Sequence, residues 1–519
     1  MIGQTIAIGV LVVGLVLVLS PGRALGVIVA GMLLWPEYMR VPLGVVQMSI
    51  PRAAALALVA RLVMTGSMRT VNGAALPPLR LHPADVIVVA AWAWDVVANV
   101  FMDADQVQLV QMVGRVLDTA VMYFAARLAL RTLSDARAMV GPMVLTAIVM
   151  GGLGAIESMT SWSYYEAHYA IAGNPWFDKG LEYRYGFLRA KGSAAHSIYF
   201  GVAMALLVGW LWSMRGVAKS AWLVWVGIVA AFVGALSSLS SGPQVALVTL
   251  MICGVFYYMR WAVKPAVAAL VFLCVVVELA SNRHFFQLAD YLALSSETAW
   301  YRGRLMEVAY ERIGDYWLAG VGGRTPHAVW GMLIDTRQHV DVVNHYIIVA
   351  LYGGLLSLAM YVAVQVMAIR ECVKASKRTL IPAERKLAFG LACTLIMLMV
   401  ASMSIGLFGP PLLLSYLLMG AMVAVGALRV APAAAVTKRV VKRARPMHVE
   451  AIGVRGAGAS GMGAGVIARA MVEHEAHRGH GEGAGLRGNW RVGDAGESEG
   501  EPRATTDGDR GGTQEGHGG

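Results

Sequence analysis

Thirteen apolar stretches in the first 429 residues leave this chain few ways to fold. They fall near 5–20, 24–36, 43–66, 83–101, 107–130, 138–157, 193–213, 218–239, 242–260, 264–280, 342–368, 386–407 and 409–429. A run of roughly 19 apolar residues is what a helix needs to cross a bilayer. With 57% hydrophobic and only 14% charged residues, the chain carries more apolar surface than a soluble fold can hide; its mean hydropathy is +0.60. The sequence therefore predicts an all-α, polytopic transmembrane bundle of about 12–13 helices. The first two stretches are short and read either as a hairpin or as one broken helix. The start resembles a signal peptide, yet no basic residue precedes the apolar run and Pro21 follows Ser20, so a retained membrane segment is expected.

Basic residues concentrate in short connections at 131–137, 214–220, 260–264 and 370–386, alternating with connections that lack them. Such connections stay on the cytoplasmic side. The two long loops, 158–192 and 281–341, then lie outside, the second of them partly helical. From 430 to 519 the chain becomes Gly-rich and charged, too poor in apolar residues to offset its ordering entropy, and a disordered cytoplasmic tail is expected. Its basic start, Lys438 to Arg445, suits anionic lipid head groups. The net charge of +11 thus reflects topology and lipid contact, not nucleic-acid binding. All four cysteines sit in or beside apolar stretches or on the cytoplasmic side, which excludes a disulfide in the outer loops. Neither a Walker loop nor zinc-ligand spacing is present, and no internal repeat is evident.

Chemistry concentrates in the outer loops. In "AWYRGRLMEVAYERIGDYWLAGVGG" (299–323), helical spacing puts Arg304, Glu307, Glu311 and Asp315 on one wet face. Arg302 shares its face with Met306, Ala309 and Ile313, where no acid stands at the three- or four-residue spacing. Its guanidinium suits a carboxylate or phosphate, and a salt bridge to a distant acid or snorkelling to head groups are the plainer readings. In "NPWFDKGLEYRYGFLRAKGSAAHSIYFG" (174–201), Lys179, Arg184, Arg189 and Lys191 interleave with Trp176, Phe177, Tyr183, Tyr185 and Phe187. Cations suit a diphosphate and aromatic faces suit sugar rings; an interfacial aromatic belt with solvated charges reads the same way. Third comes "DVVNHYIIVALYGGLLSLAMYVAVQV" (341–366), in which a polar cluster runs directly into a span.

Taken together, "RAKGS" followed by "HSIYFG", "SSGP" opening a helix at 240–243, "YR" followed by "LAGVGG", and "NHYIIVALYGGLLSL" resemble the bacterial O-antigen ligase and polysaccharide polymerase superfamily. The resemblance spans residues 30–428. It implies an integral inner-membrane glycosyltransferase with its site at the periplasmic face. Its donor would be an oligosaccharide on undecaprenyl diphosphate, its acceptor a growing glycan or a lipid A core, and a flippase and a chain-length regulator are implied as partners. Carried over, Arg189 and Arg302 hold the diphosphate, with Arg184 and Lys191 in support, supplying electrostatic stabilisation without a metal or other cofactor. His196, Asn344, Tyr346 and Arg304 complete the candidate substrate contacts.

One position departs from the pattern. Family ligases carry a histidine immediately before the motif asparagine as general base, and here that residue is Val343. Asn344 matches, but His345 follows it and would point about 200° away from Val343 on a helix. His345, Asp341 or His339 could take the proton if the loop brings one within hydrogen-bond reach. The departure favours a polymerase of O-antigen or exopolysaccharide type over a ligase; a non-catalytic transporter of lipid-linked glycans is the alternative from another class. Arg52, Asp95, Arg115 and Asp118 fall in or near apolar stretches, where charges are costly and either functional or joined as ion pairs between helices.

Overall fold

The computed structural model describes residues 2–36, 38–44, 46–65, 70–71, 74–75, 80–102, 106–167, 182–280, 296–321 and 342–428. These belong to one compact unit, Met1–Pro432. The tail expected to be disordered lies outside the described residues.

Each of the thirteen apolar stretches contains a helix. In chain order they are α1 (Ile2–Val18), α2 (Pro21–Leu34), α3 (Ile50–Thr65), α4 (Pro83–Phe101), α5 (Gln106–Ala129), α6 (Leu133–Thr160), α7 (Ser197–Met214), α8 (Ala221–Ser237), α9 (Ser241–Val255) and α10 (Val263–Ala280). Two amphipathic helices, α11 (Ser296–Glu311) and α12 (Ile313–Tyr316), precede α13 (His345–Arg378), α14 (Pro382–Ser402) and α15 (Pro410–Gly426). Among the described residues, seven helices are long and apolar enough to cross a membrane, and five more are apolar but shorter. The 18 residues of α10 have a mean hydropathy of 2.2, yet none is buried by protein. That much exposed apolar surface is tolerable only against lipid.

Where the chain departs from all-α, it forms two-stranded hairpins: β1 (Val41–Leu43) with β2 (Val46–Met48), β3 (Thr70–Val71) with β4 (Ala74–Ala75), and β5 (Tyr183–Arg184) with β6 (Phe187–Leu188). The first corrects the apolar stretch at 43–66. Its opening residues pair as a hairpin turning at Gly44, where φ is +63°, and the helix starts only at Ile50. Helix starts follow local chemistry. Thr132 and Asp135 form a reciprocal capping box on α6, and prolines occupy the first turn of α2, α4, α14 and α15.

Two ion pairs stitch the apolar helices. Arg127 and Asp85 meet at 3.2 Å between α5 and α4, with the Tyr123 hydroxyl donating to the same carboxylate. Arg52 of α3 grips Asp118 of α5 with two guanidinium nitrogens, Nη2 reaching Oδ2 at 2.7 Å. Asp118 is therefore joined to Arg52 across helices and not to Arg115 one turn earlier on its own helix.

Helix α13 breaks at Gly353 and Gly354, whose backbone angles (φ −145°, ψ 20° and φ 73°, ψ −173°) are not helical. Only glycine takes the second conformation at low cost. Four of the backbone groups around the break bond to other parts of the protein. Leu351 O accepts from the Val321 N–H at 2.9 Å, Tyr352 O from Asn99 Nδ2 at 2.9 Å and Gly353 O from Trp94 Nε1 at 2.7 Å, while the Leu355 N–H donates to Trp317 O at 2.8 Å. An interrupted helix at this depth is tolerated because protein replaces the missing bonds.

Candidate functional site

Hydrogen bonds gather the ends of α2, α6, α8 and α14 and the starts of α7, α13 and α15 at one end of the bundle, called here the hairpin end. The β5–β6 hairpin turns through Tyr185 and Gly186, both at positive φ, and its arms place the expected cations. Arg184 donates to Leu239 O at 2.9 Å. Arg189 pairs with Glu182 and donates to Ser240 Oγ at 2.9 Å, so "SSGP" at the start of α9 is an anchor for the hairpin. Lys191 is buried and donates to Glu166 at 3.0 Å, while its backbone N–H and that of Gly192 donate to Glu157 of α6. His196 caps α7 by accepting from the Ile198 N–H, and its Nε2 stands 3.7 Å from Glu182 Oε1. His196 holds the Glu182 carboxyl down at about 2, with Arg189 and Lys191 adding to the effect and partial burial opposing it. Arg189, Lys191 and His196 are thus brought together around Glu182, with Arg184 on the same hairpin.

The remaining candidates group around the start of α13. Asn344 caps it, accepting from the Tyr346 and Ile347 N–H groups, and donates to Met403 O at 2.9 Å and to Met306 Sδ at 3.1 Å. Through Met306 it fixes α11, whose buried face presents Arg302, Leu305 and Ala309. Arg304 lies on the opposite, wetter side, paired with Glu307 at 2.9 Å and Glu311 at 3.8 Å as its spacing predicts. Asp315 does not join them. The helix ends at Glu311 and Asp315 faces Arg312 instead, at 4.0 Å. The polar contacts of Arg189 are with Glu182 and Ser240, and none of them reaches Arg302.

His345 is only 1% exposed. Its Nδ1 accepts the Leu407 N–H at 3.3 Å, its ring stands edge-on to Tyr361 at 5.4 Å, and its buried Nε2 has no hydrogen-bond partner among the described residues. In this position it ties the start of α13 to the connection between α14 and α15. Tyr346 does similar work, its hydroxyl donating to Met399 O at 3.2 Å. Asp341 and His339 lie outside the described residues.

Beside these contacts is a cavity of about 980 Å³, bounded by α2, β2, α3, α5 and the start of α15. Its walls are mostly apolar, among them Met32, Trp35, Leu109, Val113, Leu117 and Leu413. Set into them are three guanidiniums, Arg40, Arg52 and Arg115, and one carboxylate, Asp118. Arg115 lies 4.4 Å over the Tyr352 ring, one residue before the helix break, and both residues also line a small enclosed cavity with Asp95, Ser357, Tyr361 and Tyr416. Phe408 links the large cavity to the hairpin group by packing on Tyr199, which in turn packs on His196.

Sequence reasoning singled out Arg52, Asp95, Arg115 and Asp118 as costly charges but did not assign them to a cavity, and it missed Trp35, Arg40, Tyr352 and Phe408. Tyr352 stands inside the quoted "ALYGG", so the signal available was an aromatic residue directly before a glycine pair in a span. Compared with protein-family models and with curated proteins, the chain matches none.

Proposed function

We propose that this protein is a polysaccharide polymerase of the inner membrane. It moves glycan from an undecaprenyl-diphosphate-linked donor to a sugar hydroxyl at the periplasmic face, where the hairpin end lies. The observation that carries this reading is the large cavity: apolar walls for an isoprenoid tail, and three guanidiniums against one carboxylate for its diphosphate. Arg184 of the β5–β6 hairpin and Arg302 of α11 bring further guanidiniums to the same end of the bundle, where Arg189 and Lys191 are matched by Glu182 and Glu166.

In the reaction, the acceptor oxygen forms a bond to the anomeric carbon of the donor. The bond from that carbon to the diphosphate oxygen breaks, and the lipid diphosphate leaves with the electron pair. Arginines stabilise the charge gathering on the leaving group. The acceptor's proton passes to a base. The burial of His345 turns that role to Asp341, three residues before the Asn344 cap. Transfer to a lipid A core would differ only in the acceptor.

The test is the set of lipid-linked glycans in cells lacking the protein. Single undecaprenyl-linked units accumulating at the periplasmic face, cleared by the wild-type chain, support a polymerase. Full-length polymer accumulating on the lipid carrier supports a ligase. Units retained on the cytoplasmic side sink both and leave a transporter.

A further inference from the structure

Among the described residues, the guanidinium of Arg115 has no hydrogen bond, although it stands on a membrane-length helix at the edge of an apolar cavity. Its neighbours are otherwise committed. Asp118 is gripped by Arg52, which also donates to Gln47 O at 2.6 Å and to Gly114 O at 3.3 Å. Asp95, the nearest acid in the adjoining small cavity, accepts from Ser357 Oγ and lies close enough to feel the Arg115 charge, but makes no hydrogen bond to the guanidinium. Arg115 instead lies flat on Tyr352, an arrangement that satisfies one face of the guanidinium and leaves its five N–H donors at the rim available. A cation so placed in apolar surroundings is costly unless an anion joins it.

We infer that Arg115 is the ligand of the lipid diphosphate in this cavity, a role that rests on the proposed function and that the resemblance gives to other arginines. The head group sits between Arg115 and the Arg52 side of the cavity, and the isoprenoid tail runs along Leu109, Val113 and Leu413. Tyr352 is the platform that fixes the guanidinium plane. Because Tyr352 O accepts from Asn99 at the helix break, the platform under the Arg115 guanidinium is itself held in place.

The experiment titrates undecaprenyl diphosphate into the full-length protein in a non-ionic detergent, with phosphatidylglycerol as competitor. Arg115→Gln is expected to weaken binding at least about tenfold, as removal of a charge-assisted contact does, and Arg115→Lys to weaken it less. Asp95→Asn should bind as tightly as wild type or tighter. If Arg115→Gln folds poorly because Asp95 loses a nearby cation, the double variant with Asp95→Asn restores folding and must still bind weakly. Unchanged affinity in a folded Arg115→Gln variant overturns the inference and leaves the proposed function standing. Equal competition by phosphatidylglycerol also overturns it, since the cavity then holds bulk lipid. Absence of wild-type binding removes the proposed function itself.

Discussion

Replacing Gly354 by alanine should separate the broken helix from any account in which α13 is merely bent. The residue sits at φ 73°, ψ −173°, a region closed to side chains, so the backbone alone costs about 1–3 kcal/mol. A Cβ built there would run into the Leu318 carbonyl and stand 2.8 Å from Trp317 O. Relief of that overlap moves Trp317 away from the Leu355 N–H, with loss of a hydrogen bond worth about 1 kcal/mol. The sum is roughly 2–4 kcal/mol. Gly353→Ala provides the comparison: its φ of −145° is open to any residue, and the atoms an added Cβ would push aside are the ends of the Ser357 and Asp95 side chains, which can turn away at the cost of their mutual hydrogen bond, about 1 kcal/mol, with no backbone in the way. In thermal unfolding of the detergent-solubilised protein, Gly354→Ala should melt several degrees below wild type and below Gly353→Ala. Equal melting of both variants would mean that the break is not held as described, and the mounting of Tyr352 would lose its basis.

Other expectations follow from single contacts. Arg52→Gln and Asp118→Asn should each destabilise by about 2 kcal/mol through the charge left behind, while the double variant recovers much of the loss; additive losses in denaturant unfolding would disprove the pairing. Glu182 has its carboxyl held at about 2 in the folded chain, so its contribution is fully present above the ordinary glutamate value and fades as pH falls through about 2. The melting difference between wild type and Glu182→Gln should shrink as pH falls below about 4.5; growth over that range would contradict the sign. His345→Asn offers an amide oxygen to the Leu407 N–H and should keep transfer within a few-fold, whereas Asp341→Asn should lose it by about a hundredfold or more. The reverse ranking would return the base to His345.

The helices were legible because an apolar run of bilayer length admits little else, and the Arg304–Glu307–Glu311 face because local spacing determines it. What could not be read was whatever depends on residues distant in sequence. Arg52 and Asp118 are 66 positions apart, and nothing local says that α3 and α5 lie side by side. Asp315 was assigned to a helix that ends four residues earlier, at Glu311. The burial of His345 under Leu407 and Tyr361 could not be read either, because α14, the following connection and the fold of α13 produce it together. Arg189 and Lys191 were found as cations, but their partners Glu182, Ser240 and Glu166 emerge only when the hairpin closes on the end of α6 and on the α8–α9 connection. The cavity was least legible, because its lining comes from several helices and no single stretch carries its signature.

Reconstituted transfer tests the central claim most directly. Purified protein in lipid vesicles would receive an undecaprenyl-diphosphate-linked oligosaccharide, and released lipid diphosphate would be counted against lengthened glycan. The account predicts one lipid diphosphate released for each unit added by the wild-type chain, with Arg115→Gln and Asp341→Asn failing to release it. Donor that binds and crosses the bilayer intact, with no lengthened glycan, would contradict the account and make the cavity part of a transport path.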